Sequence, residues 1–314
     1  MTSATNQVIQ VVMCANAGFV VPLAVALRSI NDARAEASTV HVTVLSLGIG
    51  PEDRARILAS VDRIAVSFID AERLIPDDLP RVKPRLTRAT YGRLLAADAV
   101  PNAGRLIYLD TDVLVLDDLS FLANVDLAGH PVAATLDVSQ PALSVGFPAW
   151  RELGMLPKTP YYNAGVLVID VQAWHTRGIR ASALNFLYRN ANHCLYADQD
   201  GLNGALQGDI ARLPARWNQD AAFRQPRHLG YFLLDEAEVE AAVRTPAIVH
   251  FTGSTKPWLP GCSDSATGMW RQSLALTDFR EFTVKEPILV RMRRSAERIP
   301  LLRRAARYLR SALE

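Results

Sequence analysis

Two carboxylates, Asp110 and Asp112, are the residues most able to do chemistry. They stand between the apolar runs Leu106-Ile-Tyr-Leu109 and Val113-Leu-Val-Leu116. Runs that are bulky and apolar at every position read as a strand buried on both faces, as in a parallel sheet. Two ionised carboxylates this close repel each other, and beside a core they are costly unless a cation lies between them. A hard divalent ion with oxygen ligands, its shell left open for a phosphate, meets that need. The competing reading is a turn in which the aspartates cap loop amides. The apolar strand leading into the pair favours the metal.

Other polar clusters also adjoin apolar runs. His250 ends Ala247-Ile-Val-His250 and reads as a third metal ligand, or else as a half-buried core histidine. Gly253 and Lys256 follow it, and a glycine that allows close backbone approach with a lysine point charge suits a phosphate. Asn163 and Gly165 lie just before a strand over 166–169, where a turn is the alternative. Asp198 and Gln199 face the same rim or cap a helix over 201–206. Arg93, on a helix before the central strand, can reach an anionic ligand or pair with a carboxylate.

Positioning these residues falls to an alternation of strands and helices. Strands are expected over 8–15, 40–47 and 64–69, and helices over 20–30 and 52–61. That rhythm implies an α/β fold, a parallel sheet with helices on both faces. Such sheets bind ligands beyond the carboxyl ends of their strands. Cys14 to Gly18 then share a rim with Asp110 to Asp112. The loop after the first strand has neither G-x-G-x-x-G nor G-x-x-x-x-G-K-[ST], so a nucleotide would be held by a metal and side chains.

Composition bounds the setting. The 314 residues are 49% hydrophobic and 21% charged, ordinary values for a folded protein. Three scattered cysteines without metal-ligand spacing point to a reducing compartment. No charged start with an apolar stretch marks a signal peptide, and no run reaches the roughly 18 apolar residues of a membrane span. A cytoplasmic protein is expected. The net charge of +2 hides a basic tail: residues 285–314 hold nine Lys/Arg against three Glu. Leu302, Ala305, Ala306, Leu309 and Leu313 share one helical face there, with Arg303, Arg304, Arg307 and Arg310 on the opposite arc. The expected division is a catalytic domain over 1–284 and a basic amphipathic helical tail over 285–314 that attaches to an anionic membrane surface. The alternatives are a helix packed on the domain and, ranked last, nucleic-acid binding.

Together the clusters resemble glycosyltransferase family 8, in particular the bacterial lipopolysaccharide galactosyltransferases and glucosyltransferases. The resemblance rests on Thr90-Tyr-Gly-Arg-Leu94, Tyr108-Leu-Asp-Thr-Asp-Val-Leu-Val115, Tyr162-Asn-Ala-Gly-Val166, Asp198-Gln-Asp-Gly-Leu-Asn-Gly204 and His250-x-x-Gly-x-x-Lys-Pro-Trp258, in the family's order. It implies a GT-A fold, Rossmann-like and mostly parallel. It also implies retaining, metal-dependent transfer of a hexose, galactose or glucose, from a UDP-sugar to a carbohydrate or lipid-linked acceptor. By the same resemblance Asp110, Asp112 and His250 would bind Mn²⁺, with Mg²⁺ the alternative. Thr111 would contact the ribose region, and Gly253 and Lys256 the diphosphate. Arg93, Asp137, Asn163, Asp198 and Gln199 would meet the donor sugar, Gln199 and Asp198 being the catalytic pair. The loop after the first strand would contact the nucleotide through Cys14 and Asn16, with one departure at the base: close relatives carry acidic residues and a tyrosine where this chain has Asn16-Ala-Gly-Phe19. The rival enzyme is a haloacid-dehalogenase-type phosphohydrolase built on Asp110-Thr-Asp112-Val113. A nucleotidyltransferase would need a glycine-rich loop this chain lacks. The rival outside catalysis is a sugar-nucleotide-binding relic recruited to membranes.

Overall fold

Apolar side chains alternate between two cores across one sheet, and that period of two sets the architecture. The computed structural model describes residues 8–76, 79, 88–220, 223 and 234–284. Its strands are β1 (Val8–Asn16), β2 (Thr39–Leu47), β3 (Ala65–Asp70), β4 (Arg105–Leu109), β5 (Val113–Val115), β6 (Val132–Leu136), β7 (Tyr162–Asp170), β8 (Ala211–Arg212) and β9 (Ile248–His250). Seven of them form a sheet in the order β3-β2-β1-β4-β7-β6-β8, and β5 pairs with β9 in a second, two-stranded sheet. Val11 and Met13 of β1, Ile107 and Leu109 of β4, and Val166 and Val168 of β7 face one core with helices α1 (Val20–Ala33) and Thr267–Ala275. Val12, Cys14, Leu106, Tyr108, Leu167 and Ile169 face the other, with Tyr91, Leu187 and Leu202.

Helix α2 (Pro51–Ala59) begins with Gly50 and Pro51, carries Glu52 and Asp53 in its first turn, and has Arg56 in its last. Proline at the first position and charges opposed to the helix dipole account for its start and end. Strands β3, β2, β1 and β4 run parallel, whereas β7 is antiparallel to both β4 and β6. The chain steps from β1 to β2 on one side and returns to β4 on the other. The crevice beyond the ends of β1 and β4 is therefore a topological switch point, the place where such sheets bind ligands.

Three expectations change. The two apolar runs about Asp110 and Asp112 are not one strand: β4 lies in the large sheet, and β5 leaves it to pair antiparallel with β9. The segment carrying Tyr91 and Arg93 is a 3-10 helix, Arg88–Leu95, followed by a single α turn, Ala96–Ala99. Asp198 and Gln199 do not cap a helix but lie in the first turn of Asp198–Leu206, whose N-cap is Ala197 at φ 47°. An alanine held at positive φ in a sparsely populated region costs of order 1–3 kcal/mol and persists where its surroundings over-determine it. Among the described residues no helix is long and apolar enough to cross a membrane. The basic tail lies outside the described residues.

Candidate active site

The crossing between the two sheets seats the carboxylates. Asp110 N–H donates to Gly165 O of β7 at 2.9 Å, and Phe251 N–H donates to Asp112 O at 2.9 Å. Asp110 is thus tied to the large sheet and Asp112 to the small one. His250 sits opposite Val113 in the small sheet, so its ring reaches back to the aspartates. One ligand atom from each of Asp110, Asp112 and His250 lies within 4.8 Å of the others. Two carboxylates and an imidazole suit a borderline-to-hard divalent ion. The backbone makes room for the group: a Cβ on Gly165 would meet His250 Cε1 at 2.2 Å and Asp110 Oδ2 at 3.0 Å. This donor set fits a metal.

Arg93 stands behind the aspartates, only 6% exposed. Its Nη2 donates to Asp110 Oδ1 and Oδ2 at 2.9 and 3.0 Å, and its Nε pairs with Asp198. Tyr108 donates its hydroxyl to Asp110 Oδ1 at 3.0 Å. Burial pushes Asp198 up to about 7, more than the pull of Arg93 takes back, and the charge of Asp110 adds to the rise. Burial likewise raises Asp110, against the opposing pull of Arg93 and with the repulsion of Asp112. Asp112 goes the other way: burial would raise it, but Lys256 and His250 outweigh burial and hold it well below the usual carboxylate range. Lys256 Nζ contacts both Asp112 and Phe251 O.

On the far wall amides and one carboxylate are linked. Gln199 Nε2 donates to Asp137 Oδ2 at 3.0 Å and its Oε1 accepts from Ala164 N–H at 3.0 Å. Asn163 Nδ2 donates to the same Asp137 oxygen at 3.3 Å. Burial raises Asp137, with bonds from Gln199, Gln140, Ser139 and Asn163 opposing. Asn163 and Gly165 do not form a turn; they lie inside β7, where its register against β6 shifts between Ala134 and Thr135. That irregularity frees the N–H groups of Ala164 and Gly165 for side chains in place of ladder bonds. Asp200 is fully buried, accepting from Tyr161 Oη at 2.5 Å and from Leu195 and Tyr196 N–H at 2.5 and 2.6 Å.

Arg93, Asp110, Asp112, Asp137, Asn163, Asp198, Gln199, His250, Gly253 and Lys256 all line one cleft of about 500 Å³. That volume is ordinary for a small-molecule site. Thr111 is buried between the aspartates, 7% exposed. Cys14 turns its side chain into the core, where a Cβ on Gly92 would meet its Sγ at 2.2 Å. Burial pushes the thiol up to about 12, and its part is to seat the segment that carries Arg93. Asn16 Oδ1 accepts from Gly18 N–H at 2.9 Å, and Phe19 packs edge-on to Trp258 at 5.9 Å. Sequence reasoning missed Asn218, Tyr108, Tyr196 and Asp220. Tyr196 and Asp220 line the cleft, and Asn218 bonds to His250 Nδ1 at 2.8 Å. None stands in a spacing that signals chemistry, although Tyr108 lay in the strand already singled out.

The chain matches the Glycosyl transferase family 8 profile over residues 10–262. General stress protein A of Bacillus subtilis is 26% identical over 259 residues, covering 81% of this chain and 88% of that protein. Lipopolysaccharide 1,2-glucosyltransferase of Escherichia coli is 30% identical over 177 residues, 55% of this chain and 49% of that protein. Lipopolysaccharide 1,3-galactosyltransferase of Salmonella typhimurium is 28% identical over 204 residues, 62% and 56% respectively. This chain thus spans about half the length of those two lipopolysaccharide enzymes. Among solved structures, the galactosyltransferase LgtC with donor and acceptor sugar analogues superposes with a TM-score of 0.70 at 24% identity. The match covers 86% of this chain and 96% of that one. The likeness establishes the GT-A fold.

Proposed function

The chain belongs to glycosyltransferase family 8, and on that premise we propose that it is a retaining, metal-dependent hexosyltransferase. It moves galactose or glucose from a UDP-sugar to a carbohydrate or lipid-linked acceptor. The observation that carries this reading is the convergence of Asp110, Asp112 and His250 in a cleft whose other walls bear Lys256, Arg93, Asp137, Asn163, Asp198 and Gln199. Asp110, Asp112 and His250 hold Mn²⁺, which when bound supplies Lewis-acid stabilisation of the departing diphosphate. Lys256 adds a fixed charge on the diphosphate and Gly253, at φ 81°, lets the backbone come close to it. Thr111 meets the ribose region.

Arg93, Asp137 and Asn163 hold the sugar, and Asp198 and Gln199 stabilise the positive charge that grows on it. Gln199 is a weak nucleophile, its oxygen engaged by Ala164 N–H, and Asp200 is fully hydrogen-bonded away from the cleft. Both facts favour front-face attack by the acceptor over a covalent adduct. For the base, Asn16 Oδ1 accepts from uracil N3–H after giving up its bond to Gly18; its amide can otherwise donate to cytosine N3. Residues 1–284 form the catalytic domain, and the basic tail over 285–314 attaches the cytoplasmic enzyme to an anionic membrane surface.

The test is nucleotide release from UDP-galactose and UDP-glucose with and without Mn²⁺, followed by the anomeric configuration of the product. Release that needs the metal, falls at least about 100-fold in Asp112→Ala and conserves the anomer is the expected result. An inverted anomer would sink the retaining mechanism. No release from any nucleotide sugar would leave a binding protein and not an enzyme.

A further inference from the structure

A chain of amides runs behind the proposed metal site, and its direction can be assigned. Backbone N–H groups only donate, so each one that meets an amide side chain identifies that side chain's oxygen. Gly165 N–H donates to Asn163 Oδ1 at 2.9 Å, which makes Asn163 Nδ2 the donor to Asp137. Asn218 lies against that same Asn163 oxygen at 2.9 Å and must present its NH₂ to it. The other end of Asn218 is therefore its carbonyl oxygen, and that oxygen lies 2.8 Å from His250 Nδ1. Only Nδ1–H can satisfy it. Asn218 is 3% exposed and His250 4%, so water cannot readily substitute.

We infer that Asn218 is the positioning residue of this site: it accepts from His250 Nδ1–H and so turns Nε2, the nitrogen left for a cation, toward the aspartates. Nε2 lies 3.1 Å from Asp112 Oδ1 and 3.9 Å from Asp110 Oδ2. With Nδ1–H engaged by Asn218, Nε2 is the nitrogen whose lone pair a cation between the two carboxylates would take. The same chain continues through Asn163 and Asp137 to Gln199, so the orientation of the metal ligand and that of the amide at the donor sugar depend on one set of hydrogen bonds. The inference deepens the metal-site reading and rests on it.

Two measurements on the full chain test it. In the metal-free protein at about pH 9, above the ordinary histidine range, long-range ¹H–¹⁵N NMR should show the His250 ring as Nδ1–H. A native ring protonated at Nε2 alone, with Nδ1 bare against Asn218, overturns the inference. Second, Mn²⁺ affinity is read by EPR of the free ion. Asn218→Leu should weaken it about 10–100-fold, whereas Asn218→Asp, which keeps an oxygen facing Nδ1–H but loses the donor to Asn163, should lose less. Equal losses in both variants would mean a general packing role and overturn it, as would native affinity in a folded Asn218→Leu. If that variant fails to fold, the native NMR result and Asn218→Asp decide. The His250→Ala control separates the two readings: if it binds Mn²⁺ as tightly as the native protein, the metal-site assignment itself has failed.

Discussion

Arg93 carries more of the site than any other single residue, because it is the buried cation between Asp110 and Asp198. A buried pair contributes little net stability, yet removing one partner leaves uncompensated charge. Arg93→Met should cost about 3–5 kcal/mol in denaturant unfolding at neutral pH. A cost near zero would mean that water reaches the aspartates. Asp198 gives a pH signature in the metal-free protein. Its folded-state value is raised to about 7, so its contribution to stability is fully present below the unfolded carboxylate range and is lost as pH rises toward 7. The whole change is about 4 kcal/mol, an order-of-magnitude figure for a shift of about three units. Relative to the native protein, Asp198→Asn should therefore gain stability as pH rises from about 4 to 7 and then level off. A difference independent of pH would show that Asp198 ionises normally.

The decisive elements are β7 and β9, which approach each other across a glycine. The irregular register of β7 releases the amides of Ala164 and Gly165 to Gln199 and Asn163, and Gly165 leaves the space the His250 ring occupies. Gly165→Ala should cost about 1–3 kcal/mol in thermal or denaturant unfolding. The cost should shrink in a His250→Ala background, with a coupling of about 0.5–3 kcal/mol. Equal costs in both backgrounds would show that the ring does not depend on this space. The elements also show what spacing conceals. Asn163 and Gly165 look like turn residues in sequence, and they sit inside a strand because side chains complete the hydrogen bonds that a regular ladder would have used.

At the scale of the whole molecule, a seven-stranded sheet and a two-stranded one meet at the carboxylates, and each sheet holds one of them through a backbone hydrogen bond. For residues 285–314 the proposal is attachment to an anionic membrane. Full-length protein should sediment with vesicles of anionic lipid, and a chain ending at Glu286 should not; equal sedimentation of both would sink membrane attachment. Such binding should weaken as salt is added, since each surface-bound Lys or Arg contributes about 1 kcal/mol through a screened field.

The sequence by itself determined the sheet-forming runs, the first two helices, the two aspartates at a strand end and the five clusters that carry the family. These are local patterns: apolar periodicity, helix-start chemistry and charges beside a core. Only the tertiary structure decided which side chains share a space. It turned the Cys14 side chain into the core, set Asp198 against Arg93, and brought Asn218 to His250 across 32 positions of chain. Contacts between distant residues depend on the crossing of elements and on which amides the ladders leave unused, and no spacing along the chain records either.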